Sequence, residues 1–90
     1  MLNNKSILIT GGTGSLGKAL VQRIIKDYPK VKRLVIFSRD EQKQFLMEKD
    51  YPLIKYPFLR YFIGDIRDQN RIKTALNGID YVIHAAAMKH

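Results

Sequence analysis

The chain has no cysteine. That excludes a disulfide framework and a thiolate metal site, and it fits a cytoplasmic protein. Histidine is nearly absent too, with two in the chain. No cluster of His, Asp and Glu has metal-ligand spacing, so no metal site is expected. Long apolar runs are missing: none approaches the ~20 residues that a membrane span needs. The opening Met1-Leu-Asn-Asn-Lys5 lacks the apolar region and small-residue cleavage site of a signal peptide. No membrane partner is therefore expected. Acidic residues are scarce, 8 against 16 lysines and arginines, for a net charge of +8. Such an excess suits a polyanion partner. Here the cations are dispersed from Lys26 to Lys73, with no dense block interleaved with stacking aromatics. They read as the coat of helices and loops, and no nucleic-acid partner is expected. There is no internal repeat and no low-complexity segment. The 90 residues allow one small domain.

What the chain does have is a rhythm of apolar runs and helical stretches. Ser6–Thr10 is rich in β-branched residues and ends on glycine, as a buried strand does. From Leu16 the apolar positions Leu16, Ala19, Leu20, Val21, Ile24 and Ile25 follow helical spacing, and Pro29 stops that helix. Arg33–Ser38 is a second buried strand. Asp40 is a good N-cap for a helix to about Lys49. Residues 51–58 carry Pro52 and Pro57 and read as an irregular loop. Leu59–Ile63 is a third strand, ended by Gly64-Asp65. Asp68 caps a short helix through Leu76, and Asn77-Gly78 is its stop. Asp80–His84 is a fourth strand leading into three alanines. The βαβαβαβ order predicts an α/β fold, a doubly wound parallel sheet of Rossmann type. Right-handed crossovers give strand order 3-2-1-4, with a switch point between strands 1 and 4. A ligand crevice belongs at the carboxyl ends of those strands.

Glycines cluster at that edge. Gly11, Gly12, Gly14 and Gly17 follow the first strand and open the first helix. Gly12, Gly14 and Gly17 have the G-x-G-x-x-G spacing, in the strand–turn–helix context that a dinucleotide site requires. The first glycines permit the turn, Gly14 lets backbone approach a pyrophosphate, and Gly17 allows close helix packing. Free N–H groups at the helix start then face the anion. A P-loop is disfavoured, because Gly17-Lys18 is followed by Ala19. An acidic residue at the second strand's tip would select NAD, and an arginine nearby would accommodate the 2′-phosphate of NADP. The tip is Ser38-Arg39, which points to NADP. Asp40 sits one position late and is better read as the helix cap. Asp65 can accept from an adenine amino group, with Ile66 packed beside the ring. Its alternative is a capping aspartate, a role Asp68 already fills. Ala85 to Ala87 either let backbone lie close to a cofactor or mark a tightly packed strand end. His84 lies inside a strand pattern and reads as a satisfied core histidine rather than an acid–base group.

Together these residues resemble the extended short-chain dehydrogenase/reductase family. Within it, "GGTGSLGK", "FSRDEQKQ", "RYFIGDIRD" and "VIHAAAMKH" look like the inverting UDP-N-acetylglucosamine 4,6-dehydratases of bacterial surface-sugar synthesis, of the pseudaminic acid type. The resemblance implies NADP contacts at Thr13, Gly14, Ser15 and Leu16, beside Gly11 and Gly17, which the glycine loop itself assigns to the cofactor site. It implies further contacts at Ser38, Arg39, Asp40, Glu41, Gln42 and Lys43, then Asp65, Ile66 and Ala85. Lys89 matches a lysine that reaches both cofactor and sugar; its bland alternative is a solvated lysine. The implied partner is UDP-N-acetylglucosamine or a related nucleotide sugar, and the implied assembly is a homo-oligomer. The implied chemistry is a redox-neutral dehydration. Hydride leaves C4 of the hexose, the acidified C5 proton is lost, and the C6 hydroxyl departs as water. The hydride then returns to C6, with inversion at C5.

In such enzymes a catalytic Tyr-x-x-x-Lys follows strand 5, with an aspartate–lysine pair before it. Residues 1–90 are therefore expected to be the N-terminal part of an NADP-binding domain, with no catalytic residue of their own. Alone they should be marginal, since strand 4 would offer an unpaired edge. Tyr28…Lys32 and Tyr51…Lys55 imitate the motif, but proline directly after each tyrosine keeps the pair off one helical turn. Other readings are a sugar-nucleotide 4-epimerase, a retaining dehydratase, or a non-catalytic NADP-sensing module.

Overall fold

A computed structural model describes residues 1–85. Strands β1 (Ser6–Thr10), β2 (Arg33–Ser38), β3 (Leu59–Ile63) and β4 (Tyr81–His84) alternate with helices α1 (Ser15–Asp27), α2 (Glu41–Asp50) and α3 (Gln69–Leu76). The four strands form one sheet in the order β3-β2-β1-β4, every pair parallel. Leu8 of β1 lies between Val35 of β2 and Val82 of β4, and Ile36 of β2 pairs with Tyr61 of β3. The expected strand order and elements are those observed. The small differences are at ends: α1 begins at Ser15, and Asp80 precedes β4 rather than starting it. Asp80 instead pins the strand, its carboxylate accepting from Ser6 N at 2.8 Å and its own N–H donating to Ser6 O at 2.8 Å.

Side chains two apart on a strand share a face, and the core divides accordingly. Ile7 and Ile9 of β1 join Leu34 and Ile36 of β2 in one cluster with Val21 and Ile24 of α1 and Met47 of α2. Leu8, Val35 and Phe37 point the other way and meet Ala75 of α3. Two helices thus cover one face and the third covers the opposite face. The chain changes face after β3 and returns to the far side of β1, where β4 pairs with β1 up to its carboxyl end, Thr10 opposite His84. Both central strands are buried on both faces, with all of β1 and most of β2 inaccessible.

His84 departs from the sequence reading. Its ring is hydrogen-bonded, with Nδ1 3.2 Å from Thr10 Oγ1, but the residue is exposed rather than in the core. Among the described elements β4 pairs only with β1. A strand with one neighbour cannot bury its residues as β1 does.

Candidate functional site

The carboxyl ends of β1 and β2 bring the glycine loop beside the Ser38–Arg39 tip. Gly11 turns the chain out of β1 with φ at 67°, a left-handed conformation that glycine adopts without penalty. Its N–H donates to Phe37 O at 2.9 Å, which ties the loop to the end of β2. Gly14 N–H donates to Gly11 O at 3.1 Å, and Gly14 is the N-cap of α1.

Two of the other glycines answer to packing inside the chain. A Cβ on Gly12 would lie 2.7 Å from Ile36 Cγ2. One on Gly17 would lie 2.5 Å from Gly12 backbone atoms and 2.6 Å from Gly11 O. Gly17 therefore sets α1 directly on the loop. Gly14 differs. Its φ of −76° and ψ of 178° suit any residue, and a Cβ there would meet nothing nearer than Gly11 O at 3.5 Å. The fold itself does not require a glycine at 14. A ligand that needs close backbone approach does.

The N-terminus of α1 is also bare. Its cap has no side chain to accept from the first N–H groups, and its first turn has no acidic residue. The leading N–H groups of a helix have no intrahelical partner. The other two helices solve this internally: Asp40 accepts from Lys43 N at 2.9 Å in α2, and Asp68 accepts from Arg71 N at 3.1 Å in α3. On α1 the free donors and the positive end of the helix dipole point to the sheet's ligand edge, where an anion fits. Ser15 and Leu16 are exposed there, whereas the Thr13 side chain is buried.

The second half of the site is at the tips of β2 and β3. Gly64 N–H donates to Ser38 O at 2.9 Å, joining them. Ser38 is buried, and the Arg39 side chain is 70% exposed. Asp65 lies between two arginines. Arg67 grips it with Nη2 at 2.8 Å and Nε at 3.1 Å, and Arg67 N–H adds a bond at 2.8 Å. Arg39 Nη1 lies 3.7 Å away. The hydrogen bonds from Arg67, then the nearby charge of Arg39, hold the Asp65 carboxyl well below the usual carboxylate range. Asp65 thus does serve its own turn, in addition to the cap that Asp68 provides for α3. Arg67 Nε also reaches the second oxygen at 3.3 Å, so a further donor would have to share the carboxylate with Arg67; Ile66 beside it is 45% exposed.

Asp40 is a cap in fact, which matches its sequence reading. Glu41, Gln42 and Lys43 form the exposed first turn of α2. Glu41 and Gln42 also border an open concavity of about 570 Å³ along α2 and β3. The Ala85 side chain is packed in the core with Ile7 and Ile9. Lys89 lies outside the described residues. Tyr28 and Tyr51 cap the ends of α1 and α2 in non-helical conformations, with φ of −131° and −127°. Lys32 and Lys55 are therefore not on a turn of helix with them. Sequence reasoning missed Arg67, which pairs across a turn rather than along a helix. It also missed Gln44, a polar residue on the buried side of α2.

The family described as "Polysaccharide biosynthesis protein" matches residues 7–90. Over 90 residues the chain is 51% identical to a UDP-N-acetylglucosamine 4,6-dehydratase (inverting) of Campylobacter jejuni, covering 100% of this chain and 26% of that protein. It is 45% identical over 91 residues to a UDP-glucose 4-epimerase of Rickettsia bellii, covering 99% of this chain and 26% of that protein. Among solved structures, Pen from Bacillus thuringiensis superposes with a TM-score of 0.87 at 40% identity, over 100% of this chain and 27% of that one. The chain spans about a quarter of the length of the curated relatives it matches.

Proposed function

Because the chain belongs to the polysaccharide biosynthesis protein family, within the extended short-chain dehydrogenases/reductases, we propose that it is the NADP-binding portion of a sugar-nucleotide 4,6-dehydratase. The observation that carries the cofactor reading is the pairing of an uncapped α1 start with a Gly14 that the fold does not need. A pyrophosphate would accept from the N–H groups of Ser15, Leu16 and Gly17. Ser38 and Arg39, at the adjacent strand tip, would hold the 2′-phosphate, and Asp65 and Ile66 would border the adenine. When bound, the nicotinamide supplies a reversible hydride acceptor.

The chain's own residues bind and orient. Gly17 seats α1 so that its first N–H groups converge on the loop, and the Gly11 N–H fixes that loop to β2. The proposed substrate is UDP-N-acetylglucosamine, in surface polysaccharide synthesis of the pseudaminic acid type. Lys89 is proposed to reach both cofactor and sugar. A cytoplasmic location and a homo-oligomeric assembly belong to the same proposal.

The epimerase relative, at 45% identity over almost the whole chain, favours a second reading: C4 epimerisation without loss of the C6 hydroxyl. One experiment separates the two. The full-length protein is incubated with UDP-N-acetylglucosamine and the product followed by proton NMR. A 4-keto-6-deoxy sugar with a new C6 methyl signal supports the dehydratase. A C4 epimer that keeps its hydroxymethyl group supports the epimerase.

A further inference from the structure

Helix α2 buries two residues, Met47 and Gln44, while Phe45 and Leu46 beside them are 61% and 50% exposed. A glutamine turned inward past two exposed apolar neighbours needs a reason, because burying an amide costs free energy unless it is hydrogen-bonded. Its bonds give the reason. Gln44 Nε2 donates to Ser38 Oγ at 2.8 Å and to Phe62 O at 3.1 Å, with Ser38 O at 3.4 Å and Ile36 O at 3.5 Å close by.

The orientation of this amide is dictated by its surroundings. Carbonyl oxygens only accept, so the nitrogen and not the oxygen must face them. The nitrogen donates and cannot accept. Ser38 Oγ is therefore an acceptor toward Gln44, and its own proton must go elsewhere. Among the described residues Gln44 is the hydrogen-bond partner of that hydroxyl. The proton is left for a group outside the fold, at the strand tip beside Arg39.

We propose that Gln44 is a positioning residue for cofactor choice: it fixes Ser38 as a hydrogen-bond donor and so favours a 2′-phosphate over a 2′-hydroxyl. This rests on the NADP reading above. A phosphate monoester offers only acceptors, and a fixed donor makes a charge-assisted bond to it. A ribose hydroxyl is both donor and acceptor and gains less from a fixed polarity. Gln44 itself touches no cofactor. With an apolar residue at 44, Ser38 Oγ loses the donor that fixes it as an acceptor, and the direction of its own proton is no longer set.

The test is isothermal titration of the full-length protein with NADP⁺ and with NAD⁺, for wild type, Ser38→Ala, Gln44→Met and the double variant. Gln44→Met is expected to lower the preference for NADP⁺ about tenfold, the order of one hydrogen bond to a charged group. In the Ser38→Ala background it should leave the preference unchanged. Equal weakening of both nucleotides by Gln44→Met overturns the assignment. So does an effect on the preference that persists without the Ser38 hydroxyl. If Gln44→Met does not fold, Ser38→Ala decides, because it keeps the Gln44–Phe62 bond. A preference lowered about tenfold supports the assignment, and an unchanged one overturns it. A wild type that binds NAD⁺ as tightly as NADP⁺ overturns the NADP reading itself, a different result from a preserved preference that ignores Gln44.

Discussion

Adding one methyl group at Gly14 and at Gly17 should separate ligand binding from folding. The Gly17 Cβ would stand 2.5 Å from Gly12 backbone atoms. Ordinary contact begins near 3.4 Å, so α1 must move out by about 1 Å. A gap of that size forfeits a quarter to a half of the dispersion attraction across it. The residues that lose contact are Val21 and Ile24, which are 0% and 4% exposed and anchor α1 to the sheet. Each contributes roughly 2 kcal/mol by burial, so the loss is about 1–2 kcal/mol. That agrees with the usual ~1–3 kcal/mol for overpacking. Gly14→Ala meets only Gly11 O at 3.5 Å, in a conformation alanine adopts freely. Its effect on stability should stay within about 0.5 kcal/mol. In the proposed site, however, its new methyl group would stand where the pyrophosphate approaches, and affinity for NADP⁺ should fall at least ~10-fold. The assay is urea unfolding of the nucleotide-free full-length protein followed by circular dichroism, with calorimetric titration of NADP⁺ on the same samples. A Gly14→Ala protein that binds like wild type, or a Gly17→Ala protein equally stable, would refute the division of roles.

Arg39→Ala should weaken NADP⁺ binding about tenfold more than NAD⁺ binding; equal losses measured by titration would remove Arg39 from the 2′-phosphate site. Asp40→Ala removes the side chain that accepts from Lys43 N, and unfolding should show a loss of ~1 kcal/mol; no change would mean that the α2 cap contributes nothing. Asp65 has its carboxyl lowered by Arg67 and Arg39. A lowered carboxyl contributes stability that is present above its unfolded value near ~4 and is lost only as pH falls toward the folded value. The Asp65 carboxyl carbon, followed by NMR, should therefore still report an ionised carboxylate at about pH 4, where an ordinary aspartate is half protonated. In Arg67→Ala its midpoint should rise toward the ordinary range, and a wild-type midpoint near ~4 would contradict the pairing.

Much of this arrangement is legible in residue types and spacing. β1 and β2 read as buried because both their faces are apolar, and the sheet does bury both. Asp40 and Asp68 mark helix starts because their carboxylates satisfy N–H groups, which they do. Three glycines of the loop are legible by their use in the fold: Gly11 makes the left-handed turn, and Gly12 and Gly17 leave room for close packing. What escapes is whatever depends on partners distant in sequence or on polarity inside the fold. Gln44 breaks the rule that a helix buries its apolar side, since Phe45 and Leu46 are exposed while it is buried. No periodicity signals that; the signal is three-dimensional, a group of acceptors on β2 and β3, Ser38 Oγ and Phe62 O foremost, that faces the amide nitrogen. The fork between Arg67 and Asp65 spans two residues across a turn, a spacing no helix or strand pattern marks. His84 lies in an apolar run that looks like a core strand, yet its exposure is set by how many strands flank β4.

In the proposed function the bare start of α1 and the Ser38–Arg39 tip together hold one NADP molecule. A crystal structure of the full-length protein grown with NADP⁺ tests it most directly. In that crystal, pyrophosphate oxygens should lie within hydrogen-bond distance of the Ser15, Leu16 and Gly17 N–H groups, and the 2′-phosphate beside Ser38 and Arg39. A pyrophosphate bound away from the glycine loop, or a 2′-phosphate in solvent with Arg39 still on Asp65, would contradict it.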